Sequence, residues 1–169
     1  MTQETPQNIQ KENYSKVIPI WKFILLSVIT FGIYELVWFY RNWKFLKSEQ
    51  NLKITPLLRT IFASIFAGSF ASYQKKFLNE KNIAFNYSPI LIGVSYFVFR
   101  ILWKLPDPYS LLSYLTFVPL IPLVVSMNKY WLSIEQNLAP KKFSWWQIIL
   151  IILGLIFFLL IVFASFLPE

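Results

Sequence analysis

Apolar residues in this chain gather into five blocks, at 18–40, 57–73, 84–103, 109–127 and 143–167, separated by short polar stretches rich in lysine and arginine. A helix crossing a hydrocarbon core needs about 20 apolar residues. The fourth block has that length, and the fifth, with "IILIILGLIFFLLIVFASF", carries no charge over that run. The third qualifies if Arg100, near its end, extends its stem along the apolar surface and places its head in water. The first block is interrupted by Lys22, Gly32 and Glu35, and the second is short. Ahead of them, residues 1–17 are polar and predict a disordered tail preceding one helical domain over 18–169. The first block ends in Tyr, Trp and Arg rather than in small residues, which argues against a cleaved signal.

The cations decide how the first two blocks run. If all five blocks crossed in alternation, the cations would divide almost evenly between the two sides, and an even division sets no orientation. If blocks one and two each enter and return, every cation but Arg100 and Lys104 falls on one face. We therefore expect an all-α integral membrane protein with three firm transmembrane helices, preceded by two N-terminal half-buried or re-entrant helical hairpins. The N-terminus is then cytoplasmic and the C-terminus outside, with five full spans as the alternative. Gly32 permits a sharp turn inside block one, or serves a straight helix as a packing residue.

Composition narrows the function. The chain has 56% hydrophobic and 14% charged residues, a formal charge of +8, and neither Cys nor His. Disulfides, thiolate nucleophiles, the usual zinc and haem ligand sets and Ser-His or Cys-His catalysis are thereby excluded. The eight carboxylates are scattered, so no metal, cofactor or catalytic residue is expected. The excess cations lie between apolar blocks, which points to anionic lipid rather than nucleic acid.

Within the blocks, Glu35 is the residue that needs an explanation, because an ionisable group in a membrane segment calls for a partner. Arg59, at the head of block two, matches it in depth and is the expected partner. Proton or substrate handling, or contact with interfacial water, are the other roles open to Glu35. Ala63, Ala67 and Ala71 form one small-residue ridge, and Ser64, Gly68 and Ser72 form the next, a pattern for close helix packing within the chain or between copies. Pro119 and Pro122 predict a kink in block four, accommodated by neighbours or opening a cavity. Trp38, Tyr40, Arg41, Trp43 and Lys44 read as interfacial lipid contacts. Residues 128–142 read as an interfacial helix stopped near Pro140.

The stretch "LSVITFGIYELVWFYRNWKFLK", with Thr30, Phe31, Gly32, Ile33, Tyr34, Trp38, Tyr40 and Arg41, resembles the opening of small bacterial membrane proteins grouped as domain of unknown function 4234. "NKYWLSIEQ" followed by an apolar block is loosely similar too. The resemblance implies a bacterial inner-membrane protein and transfers no site. The expected role is non-enzymatic: an accessory or interaction subunit that binds lipid, a membrane partner or a second copy through its basic, aromatic cytoplasmic face. The alternative is a small-solute transporter or channel component lined by Glu35, Arg59, Arg100 and the Pro-broken fourth block.

Overall fold

The computed structural model describes residues 17–106, 109–134 and 144–165. The tail expected at 1–17 lies outside them but for Val17, as do Leu138 and Pro140 of the expected interfacial helix. Among the described residues every regular element is helical. The helices are α1 (Ile20–Ile29), α2 (Ile33–Glu49), α3 (Pro56–Ile61), α4 (Ala63–Glu80) and α5 (Pro89–Ile101), the last extended by a 3₁₀ turn, Leu102–Lys104. A 3₁₀ segment, Tyr109–Leu120, then runs into α6 (Ile121–Ile134), and α7 covers Trp145–Ser165.

Block one turns back on itself. At the end of α1 the Gly32 N–H donates to the Ser27 carbonyl at 2.8 Å and the Phe31 N–H to the Val28 carbonyl at 3.2 Å. Those two bonds are a Schellman closure of the helix. Both turn residues are left-handed, Phe31 at φ 51° and Gly32 at φ 82°, so the chain reverses where glycine makes the second of these conformations free of strain. The Thr30 hydroxyl ties the two arms together, donating to the Leu26 carbonyl at 2.6 Å and accepting from the Tyr34 N–H at 2.9 Å. Asn51 and Asn82, also left-handed, close α2 and α4 in the same way, with Leu52 N–H on the Lys47 carbonyl and Ile83 N–H on the Leu78 carbonyl.

Ring contacts fix the directions of the helices. Phe23 of α1 touches both Tyr34 and Trp38 of α2, so these arms are antiparallel. Trp38 and Trp43 meet Phe70, and Phe45 meets Phe77, so α2 and α4 run the same way. Tyr130 of α6 joins Phe77 and Phe45. Blocks one and two therefore each leave one end of the bundle and come back to it. Block two breaks between α3 and α4 at Phe62, and α3 begins with Pro56 in the first helical turn, where its missing N–H is harmless.

Several elements differ in length from expectation. Helix α2 continues through the basic stretch to Glu49, because Asn42, Trp43, Phe45 and Leu46 keep a buried stripe at helical spacing. The third block, expected as a full span, is a helix of 13 residues plus the 3₁₀ turn. Ser88 caps it by accepting from the Leu91 N–H, and Pro89 follows at the first helical position. Residues 128–134, expected to begin a separate interfacial helix, simply continue α6. Leu112–Ile134, at 23 residues and mean hydropathy 1.3, is by length and composition long and apolar enough to cross a membrane.

Helices α4 and α5 cross at two glycines. A methyl group on Gly93 would lie 2.8 Å from the Gly68 Cα and 2.9 Å from its nitrogen, backbone atoms that cannot swing aside. Gly93→Ala should therefore destabilise the protein by about 1–3 kcal/mol through overpacking, read as a lower melting temperature in detergent. An unchanged melting temperature would contradict the close crossing.

Candidate functional site

Glu35 occupies the first turn of α2, where a carboxylate faces the positive end of the helix dipole. It is completely buried, at 0% exposure. One carboxylate oxygen accepts from the Thr116 hydroxyl at 2.7 Å and the other from the Tyr96 hydroxyl at 2.9 Å. Arg100 places Nη2 3.8 Å from the second oxygen and donates from it to the Tyr96 hydroxyl at 3.2 Å. Tyr96 and Arg100 stand four residues apart on α5, hence on one face. The carboxylate therefore joins α2, α5 and the 3₁₀ segment at a single point.

The partner expected for Glu35 is thus replaced. Arg59 lies elsewhere, with its guanidinium carbon 4.7 Å from the Trp43 ring centre, 5.2 Å from Phe66 and 5.7 Å from Tyr73, and it donates to the Ser69 hydroxyl at 3.3 Å. Depth along the chain suggested Glu35 and Arg59 as a pair, but the rotation of the six-residue α3 about its axis turns Arg59 toward the aromatic rings. Arg100 in turn does not extend outward to an interface; it folds inward over Gly32, where its Nη2 is 3.4 Å from the place a side chain would start.

Other sequence candidates divide. Ala63, Ala67 and Ala71 face the core, and Gly68 receives Gly93, whereas Ser64 is half-buried and Ser72 exposed, bonded to the Gly68 carbonyl at 3.0 Å. Both small-residue ridges thus belong to one helix, and the glycine among them packs within the chain. Trp38 and Trp43, expected as lipid contacts, are only 2% and 0% exposed, because ring packing on Phe70 draws them inward. Tyr40 and Lys44 are exposed, and Arg41 lies over the Trp146 ring at 5.1 Å. Pro119 is buried inside the 3₁₀ segment. The prolines deprive this stretch of two donors, and it winds in the tighter 3₁₀ form for twelve residues, far longer than such helices usually run.

Gln74 and Gly93 were not singled out by sequence pattern. The buried Gln74 amide donates to the Leu123 carbonyl at 2.8 Å and to the Ser126 hydroxyl at 2.9 Å, pinning α4 to α6 just beyond the prolines. Asn128 makes a two-way bond to residue 18, accepting from its N–H at 2.9 Å and donating to its carbonyl at 2.7 Å. Ser144 and Gln147 start α7 in the capping-box spacing, the glutamine oxygen accepting from the Ser144 N–H at 3.0 Å.

Two cavities adjoin these groups. One, of about 240 Å³, opens beside Arg100 at the α1–α2 turn, between Ser27, Gly32, Trp103 and Ser113. The other, of about 580 Å³, lies at the opposite end, between Tyr40, Lys44, Lys47, Ser48, Asn51 and Leu52. Among the described residues no group of three or more carboxylate, His or Cys side chains could hold a metal ion. Glu35 is fully buried with both oxygens engaged, and it acts in the fold as a buried polar joint.

Fold and site together define a helical bundle with a charged network inside and apolar side chains outside. The chain belongs to the family described as Domain of unknown function (DUF4234), which matches residues 18–104, more than half of the 169. That region includes Gly32, Glu35, Tyr96 and Arg100, and ends before Thr116 and before the "NKYWLSIEQ" stretch. No curated protein and no solved structure matches the chain.

A double-mutant cycle checks the pairing. Glu35→Gln and Arg100→Ala should couple by about 1–3 kcal/mol in unfolding free energy, as groups in one network do, whereas Glu35→Gln and Arg59→Ala should add within about 0.5 kcal/mol. Coupling in the second pair and additivity in the first would reverse the assignment.

Proposed function

We propose that this chain is an integral protein of a bacterial inner membrane, without enzymatic activity, which binds anionic lipid headgroups through the basic end of its bundle. The observation that carries this reading is the inverted distribution of polarity. Glu35 is fully buried, while Ile90 is 78%, Ile65 67% and Leu91 65% exposed. Large apolar surfaces of this kind mark contact with lipid or protein, and charged groups turned to the bundle interior are the membrane arrangement.

Helix α7, 21 residues without a charge, would measure about 31 Å at 1.5 Å per residue, enough for a hydrocarbon core. With Leu112–Ile134 and α5 plus its 3₁₀ turn, it makes the three crossings of this reading. The hairpins α1–α2 and α3–α4 enter and return beside them. Of the twelve described cations, Arg100 and Lys104 then stand at one end, and Lys22, Arg41, Lys44, Lys47, Lys53, Arg59, Lys75, Lys76, Lys81 and Lys129 on the side of the other, which orients that other end to the cytoplasm.

The larger cavity supplies the lipid site. Lys44 and Lys47 provide two exposed ammonium groups, Tyr40 and Ser48 hydroxyls, and Leu52 an apolar wall. Glu49 beside them is one acid against two cations. Each cation near an anionic surface contributes about 1 kcal/mol. The same face could also meet a membrane-protein partner or a second copy, but the paired lysines favour lipid. A transport path lined by Glu35, Arg59 and Arg100 is the weaker reading, since Arg59 is held in its aromatic surround apart from the other two.

Topology is tested with single cysteines in this cysteine-free chain. A membrane-impermeant thiol reagent on intact cells should label Ser110→Cys but not Ser48→Cys, Asn79→Cys or Asn137→Cys; labelling at Ser48 together with Ser110, or at Asn79 and Asn137, would instead mean five crossings. For the lipid, Lys44→Gln with Lys47→Gln should weaken phosphatidylglycerol retention, measured by native mass spectrometry, by roughly 2 kcal/mol or about 30-fold. Retention equal to the parent's would rule out this cavity as the headgroup site.

A further inference from the structure

The smaller cavity lies at the end opposite the lysines and has a different chemistry. Its cationic wall is Arg100, whose side chain is 30% exposed. Of the five guanidinium N–H groups, one Nη2 bond goes to Tyr96. The buried Nε has no hydrogen-bond partner among the described residues. Nor does the hydroxyl of Ser27, which lines the same cavity while its residue is only 2% exposed. A helical serine ordinarily turns its hydroxyl back to the carbonyl four residues earlier; Ser27 does not. Two buried donors on residues that line one cavity thus lack acceptors, whereas the other unpartnered buried donors among the described residues, the Trp43 and Trp131 ring N–H groups, belong to residues that do not line it.

A ligand suited to this cavity is therefore one rich in acceptor atoms. Guanidinium N–H groups match the oxygens of a carboxylate or phosphate. The guanidinium lies over the α1–α2 turn, its Nη2 3.4 Å from where a Gly32 side chain would start, an ordinary contact distance. Phe31, Trp103 and Tyr114 give the cavity aromatic walls, with Phe31 and Tyr114 rings 5.6 Å apart. The Glu35 carboxylate, the one acid near Arg100 among the described residues, is engaged by Tyr96 and Thr116 and does not line the cavity.

We propose that this cavity is an oxyanion site, in which Arg100 and Ser27 hold a carboxylate or phosphate group that enters at the α1–α2 turn. The source of the group is either a soluble anion or a lipid headgroup. The site is independent of the lysine cavity, which lies at the other end of the bundle.

The chain has three arginines, Arg41, Arg59 and Arg100, so ¹⁵N-arginine labelling gives three Nε–H signals and two internal controls. The full chain in maltoside detergent would be titrated with sodium phosphate, sodium acetate and, separately, phosphatidylglycerol. Saturable movement of the Arg100 signal alone with phosphate or acetate supports a soluble oxyanion; movement with phosphatidylglycerol only supports a headgroup. Ser27→Ala, a small change that retains the Glu35–Arg100 pair, should weaken the response about tenfold. Arg100→Lys, which keeps the charge but not the fork, should abolish saturation by phosphate in a melting-temperature titration. No saturable movement with any of the three probes, or equal movement of all three arginine signals, would overturn the site. Loss of lipid binding at Lys44 and Lys47 would leave this result unaffected.

Discussion

The fold depends on keeping one carboxylate out of water. An ionised side chain at zero exposure is destabilising by several kcal/mol unless its oxygens are hydrogen-bonded and a cation stands near. Glu35 meets that condition only when α5 delivers Tyr96 and Arg100 and the 3₁₀ segment delivers Thr116. Removing any one of these elements leaves a buried charge partly unanswered, so the three must assemble together. This requirement selects one register among the many that apolar packing would tolerate, since greasy surfaces slide past one another at little cost and a two-point bond does not.

Around that joint the bundle is closed by two kinds of contact. On the α2–α4 side, aromatic rings meet edge to face, with Phe70 touching Trp38, Phe39 and Trp43 at centroid distances of 5.1 to 5.4 Å. Where α4 and α5 cross there is no room for a side chain, and Gly68 and Gly93 bring backbone against backbone. Gly154 of α7 meets the Ile29 end of α1 in the same manner. Large rings on one flank and absent side chains on the other let helices of different lengths share a core. They also place the α1–α2 turn beside Arg100, which sets up the cavity there.

The two ends of the bundle consequently differ in kind. The end with the lysines has exposed ammonium groups at an open surface, suited to attraction by many anionic headgroups. The end with Arg100 has one planar guanidinium held by Tyr96, with defined donors. Selectivity, if any resides in this chain, belongs to the second, because a fixed fork discriminates geometry where exposed ammonium groups read little beyond charge.

Much of this architecture was legible before folding was considered. The five apolar blocks predict helices, and the glycine after Thr30 and Phe31 permits the turn that forms there, because each is a property of neighbours in sequence acting through solvation or backbone conformation. Even the Tyr96–Arg100 pair, four residues apart, was in principle visible. What local pattern could not supply was rotation about each helix axis. That rotation, set by the Phe70 aromatic contacts and the glycine crossing, turned Arg59 toward Trp43, buried Trp38 and Trp43, and brought Thr116 onto Glu35 from 81 residues away. The sequence alone determined the helical class, and its glycine made the Phe31–Gly32 turn available, through short-range forces. Only the tertiary structure decided which cation answers the buried carboxylate, because that choice depends on side-chain directions summed over three separate helices.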